Sequence, residues 1–299
     1  MSKQAYSISM NQVGKEVMAR GAEYLPLALY QRDIRDYIGE EIPPHWHGEL
    51  EIFLLEEGSV RVSLLEGEFS LEAGDAYFVN SNVMHGLICQ GDAACRYRSL
   101  VFDASIVAGA AGSVFEREYV SPFIAAATPF WVVKGIRGAF PEMVDQFERI
   151  FSVCESKTLG YEFRVRAALS QIFLTVMAET PMGTVRVISE QELRLKKMLS
   201  WLDEHYGENM TVADLAEVAN ISVRECQRYF SRFLQLSPSR YIMRHRLTSA
   251  ADLLVTTDWT ITEIGFACGF KSSSYFTKQF RARTGESPRT YRKRKTAEK

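Results

Sequence analysis

A repeat in the C-terminal third of the chain decides the fold. Its first copy opens with TVADLA at residues 211–216 and closes with SPSRY at residues 237–241. Its second copy opens with TITEIG at residues 260–265 and closes with SPRTY at residues 287–291. The openings lie 49 residues apart and the closings 50 residues apart, and internal similarity at a fixed period indicates a duplicated structural unit.

Each copy is predicted to form two helices joined by a tight turn. Thr211 and Thr260 are each followed three residues later by an acid, a pattern that caps the start of a helix. Further along come Asn220 and Gly269, which tolerate the left-handed backbone needed to leave one helix and enter the next. Apolar residues at spacings of three and four then predict one buried face on each second helix: Cys226, Phe230, Phe233, Phe276 and Phe280.

The opposite face of each second helix carries polar and basic side chains. These are the types that bind base edges and phosphates in DNA: Arg224, Gln227, Arg228, Ser231, Ser273, Ser274, Thr277, Lys278 and Arg281. Residues 221–299 contain 16 Lys+Arg against 6 Asp+Glu, whereas the rest of the chain contains 19 against 31. A duplicated helix-turn-helix within a basic segment predicts double-stranded DNA as the partner.

About the last hundred residues closely resemble AraC/XylS-type transcriptional regulators. The matching residues are Arg246, Leu247, Ala250, Leu253, Leu254, Thr257, Ile261, Glu263, Ile264, Gly269, Phe270, Tyr275, Phe276, Phe280, Gly285, Ser287, Pro288, Tyr291 and Arg292. Two positions depart from the pattern: Gly265 replaces the usual Ala, and Gln235 stands where the second copy has Gly285. The resemblance implies two recognition helices in successive major grooves, a homodimer, RNA polymerase as a further partner, and activation of transcription.

The N-terminal part has the pattern of a cupin-like β-barrel. Residues 24–104 contain short alternating stretches separated by turn residues, which is typical of a barrel or sandwich. Within them, Gly39-x5-His45-x-His47-x3-Glu51-x6-Gly58 matches the first cupin motif at every spacing. The second motif runs from Gly74 to Cys89 and contains His85, with Asn80, Asn82 and Cys89 in place of its usual Pro, Gly and Asn.

The two motifs supply the residues of a candidate effector or metal pocket. Because side chains alternate along a strand, we expect His45, His47 and Glu51 to share one face, with His85 on a neighbouring strand. Three imidazoles and a carboxylate suit a divalent transition metal such as Zn, Fe, Mn or Ni. The alternative is a metal-free pocket in which the same residues hydrogen-bond to each other or to a small-molecule effector.

Two amphipathic helices are predicted between the barrel and the duplicated unit. Apolar residues recur there at helical spacing: Phe140, Val144, Phe147, Phe151, Phe163, Leu169, Phe173 and Val176. This stripe either forms a homodimer contact, which we favour, or covers the barrel. The expected domains are a sensing barrel at residues 1–139, a dimerisation segment at 140–180, a linker at 181–189 and a DNA-binding domain at 190–299.

Length and composition favour a folded α+β protein with two domains. The chain has 299 residues, of which 46% are hydrophobic and 24% charged, values that exclude a disordered or fibrous protein. No apolar run is long enough to cross a membrane, no export signal is visible, and a cytoplasmic location is expected. We predict a non-enzymatic transcription regulator controlled by a small-molecule effector. The alternative is a metal-dependent cupin enzyme fused to a DNA-binding module.

Overall fold

The computed structural model describes residues 25–65, 67–126, 128–180 and 188–297, which form two compact units. The β-sheet unit comprises residues 25–34 and 45–180 of the described chain, and the helical unit comprises residues 35–44 and 188–297. The predicted α+β architecture of two domains is confirmed. Most of the expected linker, residues 181–187, lies outside the described residues. Every helix within the described ranges is too short or too polar to cross a membrane.

The strands build two antiparallel sheets rather than a closed barrel. In chain order they are β1 (Leu27–Asp33), β2 (Glu41–His45), β3 (Leu50–Leu55), β4 (Ser59–Leu64), β5 (Gly67–Glu72), β6 (Ala76–Val79), β7 (His85–Gln90), β8 (Arg96–Phe102) and β9 (Phe130–Val133). One sheet has the order β1-β8-β3-β6-β9 and the other the order β2-β7-β4-β5. The expected cupin-like fold is therefore present as a two-sheet sandwich.

Strand β3 is buried along its whole length because both of its faces are covered. Leu50, Ile52 and Leu54 belong to the hydrophobic core that is shared with the helices of this unit. Glu51 and Phe53 alternate with them and therefore point to the other face. The carboxylate of Glu51 approaches His85 of the opposite sheet, so this second face lies between the two sheets.

Short helical segments connect β8 to two long helices. They are α1 (Ser105–Ala108), a π-helical segment (Glu116–Val120), α2 (Ser121–Ala125) and α3 (Ile136–Ala139), while a 3-10 turn (Ile34–Asp36) follows β1. The long helices α4 (Pro141–Ser156) and α5 (Tyr161–Glu179) match the two predicted amphipathic helices.

The predicted apolar stripe on α4 and α5 covers a sheet. Most of its members are buried in one core with β3, β6 and β8: Val144, Phe147, Leu169, Phe173 and Val176, with Phe140 and Phe151 packed at the edge. Phe163 is the exception, since it is 78% exposed. The preference for a dimer contact through this stripe was wrong, because the same residues are needed to cover the β-sheet.

A buried arginine attaches α4 to the sheet. Arg98 on β8 donates from Nε to Glu56 at 2.6 Å, and from Nη1 and Nη2 to Glu148 of α4 at 2.6 and 2.7 Å. Its guanidinium also lies 5.5 Å from the ring centre of Phe147 and 5.1 Å from that of Phe151. Two carboxylates and two aromatic faces therefore compensate the cost of burying this charge.

Capped helices build the helical unit, as the repeat predicts. They are α6 (Glu190–His205), α7 (Val212–Val218), α8 (Val223–Leu234), α9 (Pro238–Thr256), α10 (Ile261–Ala267), α11 (Ser273–Thr284) and α12 (Pro288–Ala297). Complete capping boxes start α7 at Thr211, α8 at Ser222 and α10 at Thr260. Helices α7 and α8 form one helix-turn-helix, α10 and α11 the other, and α9 joins them.

The turns of the two copies use the same backbone with different residues. Asn220 and Gly269 both adopt positive φ, at 51° and 78°, between the two helices of each copy. Gln235 ends α8 at a φ of 52°, where Gly285 ends α11 at 80°, so the first copy tolerates some strain. A Cβ built at Gly265 would lie 3.1 Å from Phe276 Cδ1, which is a close contact.

Replacing Arg98 by Ala is expected to lower the free energy of unfolding by about 2–3 kcal/mol, because it removes charge-assisted hydrogen bonds and aromatic packing. The matched control is Arg96→Ala on the same strand. The side chain of Arg96 is 64% exposed in its ion pair with Glu57, and its loss is expected to cost only about 0–1 kcal/mol. Urea denaturation of the full chain measures both, and equal effects would contradict the anchoring role of Arg98.

Candidate functional site: two recognition faces and a histidine cluster

Helix α8 has one buried and one exposed face. Cys226, Phe230 and Phe233 are buried, and Phe230 packs edge-on against Tyr241 of α9 with ring centres 5.5 Å apart. The residues predicted for DNA contact are all exposed on the other side: Arg224, Gln227, Arg228 and Ser231. The Ser222 capping box holds the start of this helix, since Ser222 accepts from Glu225 N and Glu225 accepts from Ser222 N.

Helix α11 repeats this arrangement in the second copy. Phe276 and Phe280 are fully buried. On the opposite side, a shallow groove brings together all five predicted contact residues of this copy: Ser273, Ser274, Thr277, Lys278 and Arg281. Four of them occupy the positions that Arg224, Gln227, Arg228 and Ser231 occupy in α8, each at an offset of 50 residues. The duplicated unit therefore presents two equivalent polar faces. At one position of each face the side chain is basic in both copies, Arg228 in α8 and Lys278 in α11.

The four residues of the predicted pocket meet between the two sheets. His45, His47, Glu51 and His85 are all buried, and one nitrogen or oxygen atom from each lies within 4.8 Å of the others. Glu51 Oε2 lies 3.3 Å from His47 Nε2 and 3.0 Å from His85 Nε2. Burial raises the pKa of the Glu51 carboxyl, but hydrogen bonds from both histidines outweigh it and hold this pKa well below its ordinary value.

Backbone carbonyls fix the orientation of two of the rings. His47 Nδ1 lies 3.0 Å from the carbonyl oxygen of Glu49, and His85 Nδ1 lies 2.9 Å from that of Val83. Because a carbonyl oxygen only accepts, Nδ1 carries the proton in both rings and Nε2 is left to face the carboxylate. A neutral Nε2 is also an acceptor, so each of these contacts requires either a second proton or a cation.

The elements that carry these residues differ from the expectation. His45 ends β2, Glu51 lies on β3 of the other sheet, and His47 lies in the segment that connects the two strands. The prediction of one shared strand face was therefore wrong, although the residues do converge. The side chains meet because the chain crosses from one sheet to the other between His45 and Glu51.

Two family models match the chain. Residues 32–173 match the AraC-like ligand binding domain, and residues 215–294 match a helix-turn-helix domain. The uncharacterized HTH-type transcriptional regulator YdeC of Bacillus subtilis strain 168 is 28% identical over 284 residues, which cover 93% of this chain and 96% of YdeC. The chain belongs to the AraC family of transcriptional regulators. The resemblance seen in the C-terminal sequence is thus confirmed, and it extends to the N-terminal unit.

Other similar proteins match this AraC-family regulator over part or all of their length. The HTH-type transcriptional activator RhaS of Enterobacter sp. strain 638 is 34% identical over 113 residues, covering 38% of this chain and 41% of that activator. The structure of unsaturated fatty acid-bound ToxT from Vibrio cholerae strain SCE256 aligns with a TM-score of 0.47 at 13% identity. It covers 92% of this chain and 97% of ToxT.

One residue of the regulator's cluster was missed from the sequence. Ser99 on β8 donates from Oγ to Glu51 Oε1 at 2.7 Å, which satisfies the second oxygen of the carboxylate. Ser99 is 1% exposed, and it directly precedes the apolar residues Leu100, Val101 and Phe102; a serine next to such a run is the signal that could have revealed it. Asn80, which replaces the usual Pro of the second motif, donates to the carbonyl of Phe123 at 3.1 Å and has a structural role.

Proposed function

We propose that this AraC-family regulator reads a specific DNA sequence through the exposed faces of α8 and α11. The observation that carries the proposal is the repetition of one polar face at equivalent positions of both helix-turn-helix copies. Recognition helices of this kind place such side chains in the major groove, where arginine binds guanine bidentately. Exposed basic side chains in addition contact phosphates and give binding a steep salt dependence.

Replacing Arg228 by Ala is expected to weaken binding to the preferred sequence by about 1–3 kcal/mol and to relax specificity at one base pair. The preferred sequence comes from selecting duplexes out of a random pool with the full chain, and affinity is measured by fluorescence anisotropy. Arg117→Ala is the control, because Arg117 is an exposed arginine of the β-sheet unit. If the variant loses the same affinity for every DNA sequence, Arg228 contacts a phosphate and does not recognise a base.

We further propose that the regulator activates transcription in the cytoplasm by recruiting RNA polymerase to this DNA. The support is the name of the relatives that match its helical unit, which are transcriptional activators. In vitro transcription from a template carrying the selected sequence measures the effect, and a decrease in transcript would identify a repressor.

A second copy of the chain is proposed to bind the outer face of α5. This face carries Phe163, Ala167, Ser170 and Leu174 at spacings of four, three and four, which is the seam of a paired helix. Phe163 and Leu174 are 78% and 54% exposed, while the opposite face of α5 packs in the hydrophobic core of the β-sheet unit. Large apolar side chains exposed along one helical seam are the mark of an interface.

The double variant Phe163→Glu and Leu174→Glu is expected to sediment as a monomer at micromolar concentrations where the unmodified chain is a dimer, because like charges would then meet in a desolvated seam. Arg149→Glu, on the exposed side of α4, is the control and keeps the dimer. A monomeric unmodified chain would contradict the proposal directly.

We propose that the histidine cluster senses the effector and holds a divalent transition metal in the cell. The residues fit such an ion: the Nε2 atoms of His47 and His85 face one carboxylate oxygen, and carbonyls orient both rings from behind. His45, His47, Glu51 and His85 would be the ligands, and Zn, Fe, Mn or Ni are the ions that suit them. The known relatives are regulators, which favours sensing over catalysis.

Protein purified without chelator is expected to contain about one metal ion per chain by elemental analysis, because four ligands of a transition metal converge there. The double variant His45→Ala and His85→Ala should lose the ion. His205→Ala is the control, since His205 lies in the helical unit, where its Nδ1 bonds to the carbonyl of Trp201. Oxygen consumption by the metal-loaded chain would instead support the rival function, a metal-dependent cupin enzyme.

A further inference from the structure

A short segment between α6 and α7 lies against the second helix-turn-helix copy. It consists of Tyr206, Gly207 and Glu208, and it belongs to the first half of the helical unit, where α6 packs against α7. The side chain of Tyr206 packs against the hydrophobic core of the second copy, which contains Phe276 and Phe280. The two halves of the helical unit are therefore in direct contact, in addition to being joined by α9.

Two glycines allow the backbones of the two halves to approach closely. A Cβ built at Gly207 would lie 2.5 Å from the carbonyl oxygen of Ala267, and one built at Gly269 would lie 2.6 Å from that of Tyr206. Real Cβ atoms essentially never lie so near a backbone oxygen, so a methyl group at either position would push the two segments apart. Gly269 also has a positive φ of 78°, whereas Gly207 does not, so at Gly207 the close contact alone excludes a Cβ.

Arg246 of α9 binds the same two segments. Its guanidinium donates from Nε to the carbonyl of Tyr206 at 2.7 Å and from Nη2 to that of Glu208 at 2.7 Å. The third nitrogen, Nη1, donates to the carbonyl of Gly269 in the turn of the second copy at 2.9 Å. One rigid planar group on the linking helix is thus bonded to the backbone of both halves.

A linking helix alone does not fix how the two copies are rotated relative to each other. Helix α9 has 19 residues and is about 28 Å long, so it sets a distance. Two bodies joined only by such a helix are still able to pivot where the chain leaves it, at Ser237 and Thr257. Direct contacts between the two halves remove this freedom, and the contacts of Tyr206, Gly207 and Arg246 are of this kind.

We propose that Arg246 and Gly207 form a brace that fixes the spacing of the two base-reading faces on DNA. This inference rests on the proposed reading of DNA by α8 and α11. In B-DNA, one additional base pair moves a site by about 3.4 Å along the axis and rotates it by about 35°. A braced unit is unable to follow this displacement with both recognition helices, whereas a unit that pivots follows it in part. Arg246 and Gly207 are positioning residues, because they act through the placement of α8 and α11.

The first test measures how strongly binding depends on the spacing within the DNA site. A preferred duplex is selected with the full chain, and the loss of specificity in Arg228→Ala and in Lys278→Ala identifies the base pairs that each copy reads. A second duplex carries one extra base pair between these two positions. By fluorescence anisotropy, the unmodified chain is expected to bind the extended duplex at least about fivefold more weakly, which is the effect of one mismatched base pair.

Arg246→Lys should lower this preference for the original spacing by at least about twofold, because a compact ammonium does not reproduce the planar fork that binds three carbonyls. Gly207→Ala should also lower it, through the Cβ that meets Ala267. A variant that only destabilised the fold would weaken binding to both duplexes equally, so the readout is the ratio of the two affinities. An unchanged ratio in both variants overturns the brace.

Two control variants match these changes. Arg292→Ala removes an arginine of α12 whose Nε donates to the carbonyl of Leu254 at 2.9 Å, near the end of α9 that enters the second copy. Asn209→Ala changes an exposed residue in the same connection as Gly207. Both controls should keep the ratio of the unmodified chain, and a ratio that falls as much in the controls also overturns the brace.

A second measurement is independent of the DNA sequence that the protein reads. Spin labels replace Gln227 and Thr277 of the full chain as unnatural amino acids, and an excess of unlabelled chain restricts the measured distances to single chains. Pulsed electron paramagnetic resonance without DNA should give one narrow distance distribution, which Arg246→Lys should broaden and Arg292→Ala should not. An unchanged distribution in Arg246→Lys overturns the brace. Failure to select any duplex would instead contradict the proposed function, and the distance distributions would still decide this inference.

Discussion

The β-sheet unit depends on one strand that is buried on both faces. Along β3, Leu50, Ile52 and Leu54 pack against the helices, while Glu51 and Phe53 point between the sheets. Because the period of a strand is two, a shift of the register by one residue would bury Glu51 among the helices and leave its charge without partners. The same alternation that holds α4 and α5 on the sheet therefore also places the carboxylate beside His47 and His85.

The helical unit is specified mainly by signals between residues that are close together in the sequence. Each helix start is marked by its own capping residue, and each second helix is amphipathic over a few turns. Such signals act within three or four residues, so they remain visible in the sequence without knowledge of the tertiary structure. This explains why the duplicated helix-turn-helix and its turns were predicted correctly, and why the residues predicted for DNA contact lie on the polar sides of α8 and α11.

The sheets were harder to predict because their pairing is non-local. Strand β9 lies beyond residues 24–104, the region in which strands were predicted, and β2 contains Pro43 and Pro44, which normally argue against a strand. The spacing of the cupin motif did identify His45, His47, Glu51 and His85. Alternation along one strand gave the wrong reason for their convergence, since the chain changes sheet between His45 and Glu51, with bends at Gly48 and Glu49. Ser99 was missed because its role arises only from pairing between β3 and β8.

Net charge alone would overstate how much of the helical unit is available to DNA. Several of its arginines are used to hold the unit together: Arg246 donates to the carbonyls of Tyr206, Glu208 and Gly269, and Arg292 donates to that of Leu254. These contacts tie the ends of helices that would otherwise leave carbonyls unsatisfied. The basic side chains of the two recognition faces are instead exposed, which leaves them accessible from solvent. The excess of positive charge in this unit thus serves two purposes, and only the exposed part contributes to the salt-dependent term in DNA binding.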